Sequence, residues 1–228
     1  MICVVSLKRI LIVNFLNTNP YLNPSHFNMA KKKEESDEIL PQKEVKEEKS
    51  KENKEPVKAY FSKERVLTES SDPARELYNQ SRFGELLEDG RVQLSLIEAL
   101  YLVDKKRLLL HDSKDKLIDF DSLLKKSQKS EANLWVRYSV YKDIRNRGYI
   151  IKTALKFGAD FRIYDRGVKP GEDHARWVVF PVAEGSSLTW YEFSAKNRVA
   201  HSTKKRLLIG CVDNEGDTTY WEVRWLRP

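Results

Sequence analysis

Apolar residues recur along this chain in two rhythms, and the rhythm switches several times. In "LWVRYSVYKDIRNRG" Val136, Val140 and Ile144 return every four residues. That spacing predicts a helix with one buried stripe and a basic opposite face, stopped by Gly148. "YIIKT", "DFRIY" and "RWVVFPV" follow as short alternating or wholly apolar runs, the pattern of strands. "SLTWYEFSAKN" returns to helical spacing. Beyond it, "RVAHSTKKRLLIGCVDNEGDTTYWEVRW" reads as a basic turn, a buried strand from Leu207 to Val212, an acidic loop and an aromatic final strand.

Upstream, "FGELLEDGRVQLSLIEALYLV" predicts two strands joined by a turn at Asp89-Gly90. Ser95 and Glu98 then have the spacing of a capping box that opens a short apolar helix. "RLLLH" is a further strand, and Asp121 is placed to cap the helix "SLLKKSQ". Helices and strands do not alternate regularly enough for a doubly wound sheet. The expected class is therefore α+β, with a small N-terminal domain over residues 73–131 and a second domain over 132–228.

Before Pro73 the rhythm fails, and residues 1–72 read as an extension. From Lys31 to Lys58 charges of both signs crowd out apolar residues, which predicts a disordered tail; Pro41 and Pro56 limit any solvated helix there. The apolar runs of the first 28 residues are broken by Lys8, Arg9 and Asn14, well short of the ~20 residues that a membrane span needs. No membrane association is expected. "MAKKKEESDEIL" reads as an ordinary cytoplasmic N-terminus with Met29 as the natural start.

Composition narrows the chemistry. The two cysteines, Cys3 and Cys211, exclude a disulfide framework and a thiolate zinc site and fit a reducing cytoplasm. The four histidines have no ligand spacing, and neither GxxxxGK[ST] nor GxGxxG occurs, so no metal and no cofactor is expected. The formal charge of +7 suits a polyanionic partner where basic residues cluster among aromatics.

One such place is "IYDRGVKPGEDHARWVV", two strand ends joined by a charged loop, with Tyr164 and His174 at its edges. Metal-free RNA cleavage needs a group to take the 2′-hydroxyl proton, one to protonate the leaving 5′-oxygen, and a cation for the charge that builds on phosphorus. Histidine suits the acid, because its reference pKa of ~6.5 lets it hold and release a proton near neutrality. Lys205, just before a buried strand, suits the cation. Tyr164 suits the base less readily, since a phenol of reference pKa ~10 needs cations nearby. Plainer roles stand beside these. Lys205 is one of several basic residues in "KKR" that could contact phosphate, His201 could serve a helix end, and Trp225 could pack an interface. These residues alone point to an α+β protein that binds RNA or another polyanion.

"YSVYKDIRNRGYIIKTALKFGADFRIYDRG", "EDHARWVVF" and "RVAHSTKKRLLIG" together resemble, in the same order, the catalytic domain of the archaeal tRNA-splicing endonuclease family. The likeness runs from about Leu134 to the C-terminus, and "GELLEDGRVQLSLIEALYLV" is similar to the family's smaller domain. The resemblance implies a nuclease-like second domain with a mixed central sheet. It also implies metal-independent cleavage of precursor tRNA at bulge-helix-bulge junctions, leaving 2′,3′-cyclic phosphate and 5′-hydroxyl ends, with Tyr164 as base, His174 as acid and Lys205 as the stabilising cation. The family's usual Arg-Lys pair is Lys204-Lys205 here. By the same likeness, Arg198 and Trp225 would sandwich a flipped base in a neighbouring subunit. Asp213, Glu215 and Asp217 belong to an acidic loop that would dock on another subunit, in a homotetramer or beside a structural subunit. The alternative within that architecture is a noncatalytic RNA-binding or assembly subunit.

Overall fold

The computed structural model describes residues 3–6, 55–62, 65–129, 131–168, 171 and 173–225. In chain order the elements are β1 (Cys3–Ser6), β2 (Val57–Ser62), β3 (Arg65–Thr68), α1 (Asp72–Asn79), β4 (Glu85–Leu86), β5 (Val92–Leu94), α2 (Leu96–Asp104), β6 (Leu108–His111) and β7 (Leu117–Ile118). They continue with α3 (Phe120–Gln128), α4 (Leu134–Asn146), β8 (Ile150–Thr153), β9 (Phe161–Tyr164), β10 (Trp177–Ala183), α5 (Trp190–Ser202), β11 (Arg206–Val212) and β12 (Thr218–Trp225). The class is α+β with mixed sheets.

Each half is built on one sheet. The first has the order β4-β5-β3-β2-β6-β7 and the second β1-β12-β11-β10-β9-β8. Each is antiparallel apart from one parallel pair, β2 with β6 and β10 with β11. The first half starts earlier than residue 73, where the sequence places it, because β2 and β3 are central strands of its sheet. The alternation is present, with Val57, Ala59, Val66 and Thr68 facing inward. It spans only four to six residues per strand inside a charge-rich stretch, too short to stand out. The Met29 start and nearly all of the charged tail lie outside the described residues. Among the described residues, no helix is long and apolar enough to cross a membrane.

The expected capping box holds. The Ser95 side chain accepts from the Glu98 backbone, and the Glu98 carboxylate accepts from the Ser95 backbone N–H at 3.0 Å. Every residue from Leu96 to Leu102 is buried, so α2 is enclosed on all sides, packed on α3, α4 and β6. Glu98 also accepts from the Gly84 N–H at 2.9 Å and pairs with Lys152 of β8 at 3.1 Å, joining the two halves through one buried carboxylate. Around it Lys142 pairs with Asp104 at 3.0 Å, and the Arg145 guanidinium donates to the Ser81 carbonyl while lying 3.9 Å from the Phe83 ring centroid. The cap of α3 is Asp119 instead of Asp121, which lies in the first turn.

In the second half α4 covers one face of the sheet. Its approach to β11 requires Gly210, where a Cβ would stand 2.9 Å from Val140 Cγ2. On the other face α5 covers a cluster of Val178, Phe180, Leu207, Ile209 and Val223. This helix runs to Ser202, so the first part of the segment expected to be a basic turn, from Arg198, is instead its last turn and a half. The stripe that would have marked them is weak, because Trp190 and Tyr191 at the start of the helix face solvent, 81% and 77% exposed.

Candidate functional site

Register places the expected residues at one end of the second sheet. Trp177 pairs with Ile163 of β9 on one side and Arg206 of β11 on the other. Beyond the ladder, the Arg176 N–H donates to the Ile163 carbonyl and the Arg206 N–H to the Arg176 carbonyl, both at 2.9 Å. Tyr164 at the end of β9, the segment leading into β10, and Lys205 at the head of β11 are thus level on three neighbouring strands. Two strand spacings put the Cα atoms of Tyr164 and Lys205 roughly 10 Å apart. Leu207 pairs with Val223, so the same count brings Trp225 level with Lys205. Side chains alternate faces along a strand, which puts Arg162, Tyr164, Lys205 and Trp225 on the face that α5 covers.

Local structure fixes each position. Thr189 and Glu192 form a capping box that starts α5. At its end the Lys205 N–H donates to the Ala200 carbonyl at 2.8 Å and the Lys204 N–H to the His201 carbonyl at 3.0 Å. That pair of bonds is a Schellman turn, with Lys204 at its left-handed position, φ 54°. Lys204 is thereby exposed, while Lys205 is carried into line with β11, half-buried, its ammonium donating to the Thr203 carbonyl at 2.9 Å. Burial, and secondarily the positive charge of Arg162, hold the Lys205 ammonium below the usual lysine pKa.

Tyr164 is 3% exposed, with the Arg162 guanidinium 5.7 Å from its ring centroid. His174 is exposed, and its backbone N–H donates to Asp173 Oδ1. The stem of the intervening loop is tied by Arg176 to Asp165 at 3.3 Å, and the Arg166 guanidinium lies 4.9 Å from the Tyr149 ring centroid. On the opposite face of the sheet Glu222 accepts from the Trp177 indole N–H at 2.9 Å and pairs with Arg206 and Arg224. Burial pushes that carboxyl up, but its hydrogen bonds and the two arginines outweigh burial and hold it low.

A shallow cleft of about 270 Å³ opens beside Lys205, lined by Asn197, His201, Lys204, Arg224 and Trp225 among others. The His201 and Trp225 rings stack there, 5.2 Å between centroids and 25° apart in plane. Trp225 is therefore joined by His201, whereas Arg198 lies exposed one helical turn earlier. A larger cavity of about 470 Å³ lies between the two halves, away from this sheet end, and is lined by the Glu98–Lys152 pair and Arg137. Glu98, Lys152, Arg137 and Glu131 in its lining are committed to structural pairs, whereas the smaller cleft adjoins the residues gathered at the sheet end.

The three acidic residues of the loop between β11 and β12 do different jobs. Asp213 Oδ1 accepts from the Glu215 and Asp217 N–H groups, each at 2.9 Å, and so holds the turn. Glu215 and Asp217 are exposed. Gly216, at φ 92°, seats the loop against Trp135 of α4, where a Cβ would come within 3.3 Å of the indole.

Sequence reasoning missed Arg162 and the His201–Trp225 stack. Arg162 had a usable signal, being two residues before Tyr164 on one strand and so on the same face. The stack joins a helix end to a strand end 24 residues later and needs the β11–β12 pairing to be seen.

Comparison with known proteins gives two matches to family models. Residues 57–124 match the tRNA intron endonuclease N-terminal domain, and residues 134–220 match the tRNA intron endonuclease catalytic C-terminal domain. The chain is also similar to proteins named tRNA-splicing endonuclease. That of Methanothermobacter thermautotrophicus is 41% identical over 174 residues, covering 75% of this chain and 99% of the relative. That of Nanoarchaeum equitans is 44% identical over 152 residues, covering 64% and 97%. That of Thermococcus onnurineus is 36% identical over 174 residues, covering 76% and 99%.

Proposed function

Since this chain belongs to the tRNA intron endonuclease family, we propose that it is a tRNA-splicing endoribonuclease that cuts precursor tRNA at bulge-helix-bulge junctions without a metal. The observation that carries the reading is the convergence of Tyr164, the His174 segment and Lys205 on three neighbouring strands at one sheet end.

Tyr164 takes the proton of the 2′-hydroxyl, whose oxygen attacks the adjacent phosphorus. His174 gives a proton to the departing 5′-oxygen, and the Lys205 ammonium offsets the extra negative charge on the phosphoryl oxygens. One proton is taken and one returned, and the products are a 2′,3′-cyclic phosphate and a 5′-hydroxyl. The exposure of His174 leaves it free to reach a bound RNA, and the open cleft beside Lys205 leaves room for a phosphate.

Trp225 and Arg198 offer an indole face and a guanidinium to an unstacked base, and His201 backs the indole. Glu215 and Asp217 point outward from a held turn, which suits docking on another subunit, either a second copy or a structural partner. Size measurement by light scattering of the wild type and of Glu215→Gln/Asp217→Asn tests that docking; an unchanged mass would remove the loop from assembly.

A second reading has its own observation. The near-complete burial of Tyr164 favours a subunit that binds RNA and leaves cutting to a partner. Cleavage of a bulge-helix-bulge RNA in EDTA by the purified chain, wild type against His174→Ala, decides between them. Cyclic phosphate ends that vanish in the variant while RNA binding persists support the enzyme. Binding without any cutting supports the second reading.

A further inference from the structure

Arg162 occupies an unusual place for a cation. On β9 it is in register with Lys152 of β8 on one side and with Val178 of β10, a wholly buried core residue, on the other. Like charges facing each other across strands repel. Lys152 escapes by turning to Glu98 and the Gly84 carbonyl. Arg162 has no such outlet: among the described residues no carboxylate stands within ion-pair distance of it, and its Nε is buried without a hydrogen-bond acceptor. A buried donor left unmatched on a charged group calls for an explanation.

Three facts supply one. The guanidinium lies over the Tyr164 ring, 5.7 Å from its centroid. It shares the sheet face of Tyr164 and Lys205. Its charge also acts on the Lys205 ammonium, adding to burial in lowering that group's pKa. Two cations that oppose each other beside the candidate base, one carrying an unused donor, form a receptor for an anion. The planar fork of a guanidinium matches phosphate oxygens.

We propose that Arg162 is a second phosphate-binding cation of the cleavage site, its guanidinium and the Lys205 ammonium receiving the same RNA phosphate beside Tyr164. The inference rests on the endonuclease reading for the identity of the anion, but its geometry belongs to Arg162 alone. The competing role is a support that only orients the Tyr164 ring.

The test uses the full chain and a bulge-helix-bulge RNA carrying 2′-deoxyribose at the cut sites, so that binding is read without cleavage. Affinity is measured against salt for wild type, Arg162→Gln and Arg162→Lys, beside single-turnover cleavage of the all-ribose RNA and thermal melting. Loss of a phosphate contact should reduce the salt slope by about one in Arg162→Gln, with cleavage slowed about 10- to 100-fold. Arg162→Lys should keep the slope and cut at an intermediate rate. A wild-type slope in Arg162→Gln overturns the proposal, whether or not cleavage slows, since a ring support carries no counterion. Should Arg162→Gln melt below the assay temperature, the slopes are read below its melting point, where a drop of about one upholds the proposal and a wild-type slope overturns it. Should the wild type bind and never cut, the endonuclease reading falls, while the slopes still decide the fate of Arg162.

Discussion

The two halves of this protein place a cation in the same local geometry and do different things with it. In the first, α2 ends in a Schellman turn, with the Arg107 N–H on the Leu102 carbonyl, the Lys106 N–H on the Val103 carbonyl and Lys106 at φ 54°. Arg107 then leads into β6, which runs parallel to β2. In the second, α5 ends in the same turn with Lys204 at φ 54°, and Lys205 leads into β11, parallel to β10. Arg107 is half-buried beside Tyr101 and Arg145, and burial, with a smaller contribution from Arg145, pulls its guanidinium pKa down. Lys205 looks into an open cleft. The turn sets where the cation sits, and the covering decides whether it can meet a substrate.

That comparison can be broken most decisively at the proposed acid. His174→Ala should slow single-turnover cleavage by about 10²–10⁴ and leave the melting temperature unchanged, because the side chain is exposed. A rate within tenfold of wild type would remove the open end of the sheet from the chemistry. Next come the paired cations. Lys205→Met should cost about 10²–10³ in rate, whereas Arg107→Met should leave cleavage within about twofold and stability level or higher, since a half-buried, disfavoured charge is replaced by an apolar chain. Equal losses of activity in both would mean that the two turns are not functionally distinct.

The turn itself gives a smaller effect, read by thermal or urea unfolding. Gly148 holds the left-handed position after α4 with no atom near its would-be Cβ, so Gly148→Ala should cost about 1 kcal/mol from backbone strain alone. Lys106→Gly and Lys204→Gly should each gain up to ~1 kcal/mol by relieving the same strain. The finest test is pH. In its proposed role Lys205 serves as a cation only while protonated, and its pKa is lowered, so cleavage should fall on the alkaline side before pH 10.5. Removing the Arg162 charge should move that limb upward; a limb unmoved in Arg162→Gln would mean that the two groups do not sense each other.

Much of this is legible in the sequence. Local signals carried α2 and α4, because a capping box and an every-four spacing depend only on neighbours in the chain. β2 and β3 were not legible, since Val57, Ala59 and Val66 become a pattern only when paired with each other and with β6. The end of α5 was hidden because its final turns are polar and its exposed aromatics blur the stripe. At the proposed site, Tyr164 and Lys205 are nameable because they flank recognisable strands, and His174 because it lies in the charged loop that leads into one. Arg162 is passed over although it shares a strand face with Tyr164, because an arginine in an alternating strand reads as an outward residue until the neighbouring strands are paired with it.

Glu98 has a consequence for the ancestry of the chain. One carboxylate opens a helix of the first half and neutralises Lys152 of the second, so each half alone would inherit an orphaned charge. Separating or duplicating the halves would part this ion pair, so positions 98 and 152 are where compensating substitutions would be looked for after any such rearrangement.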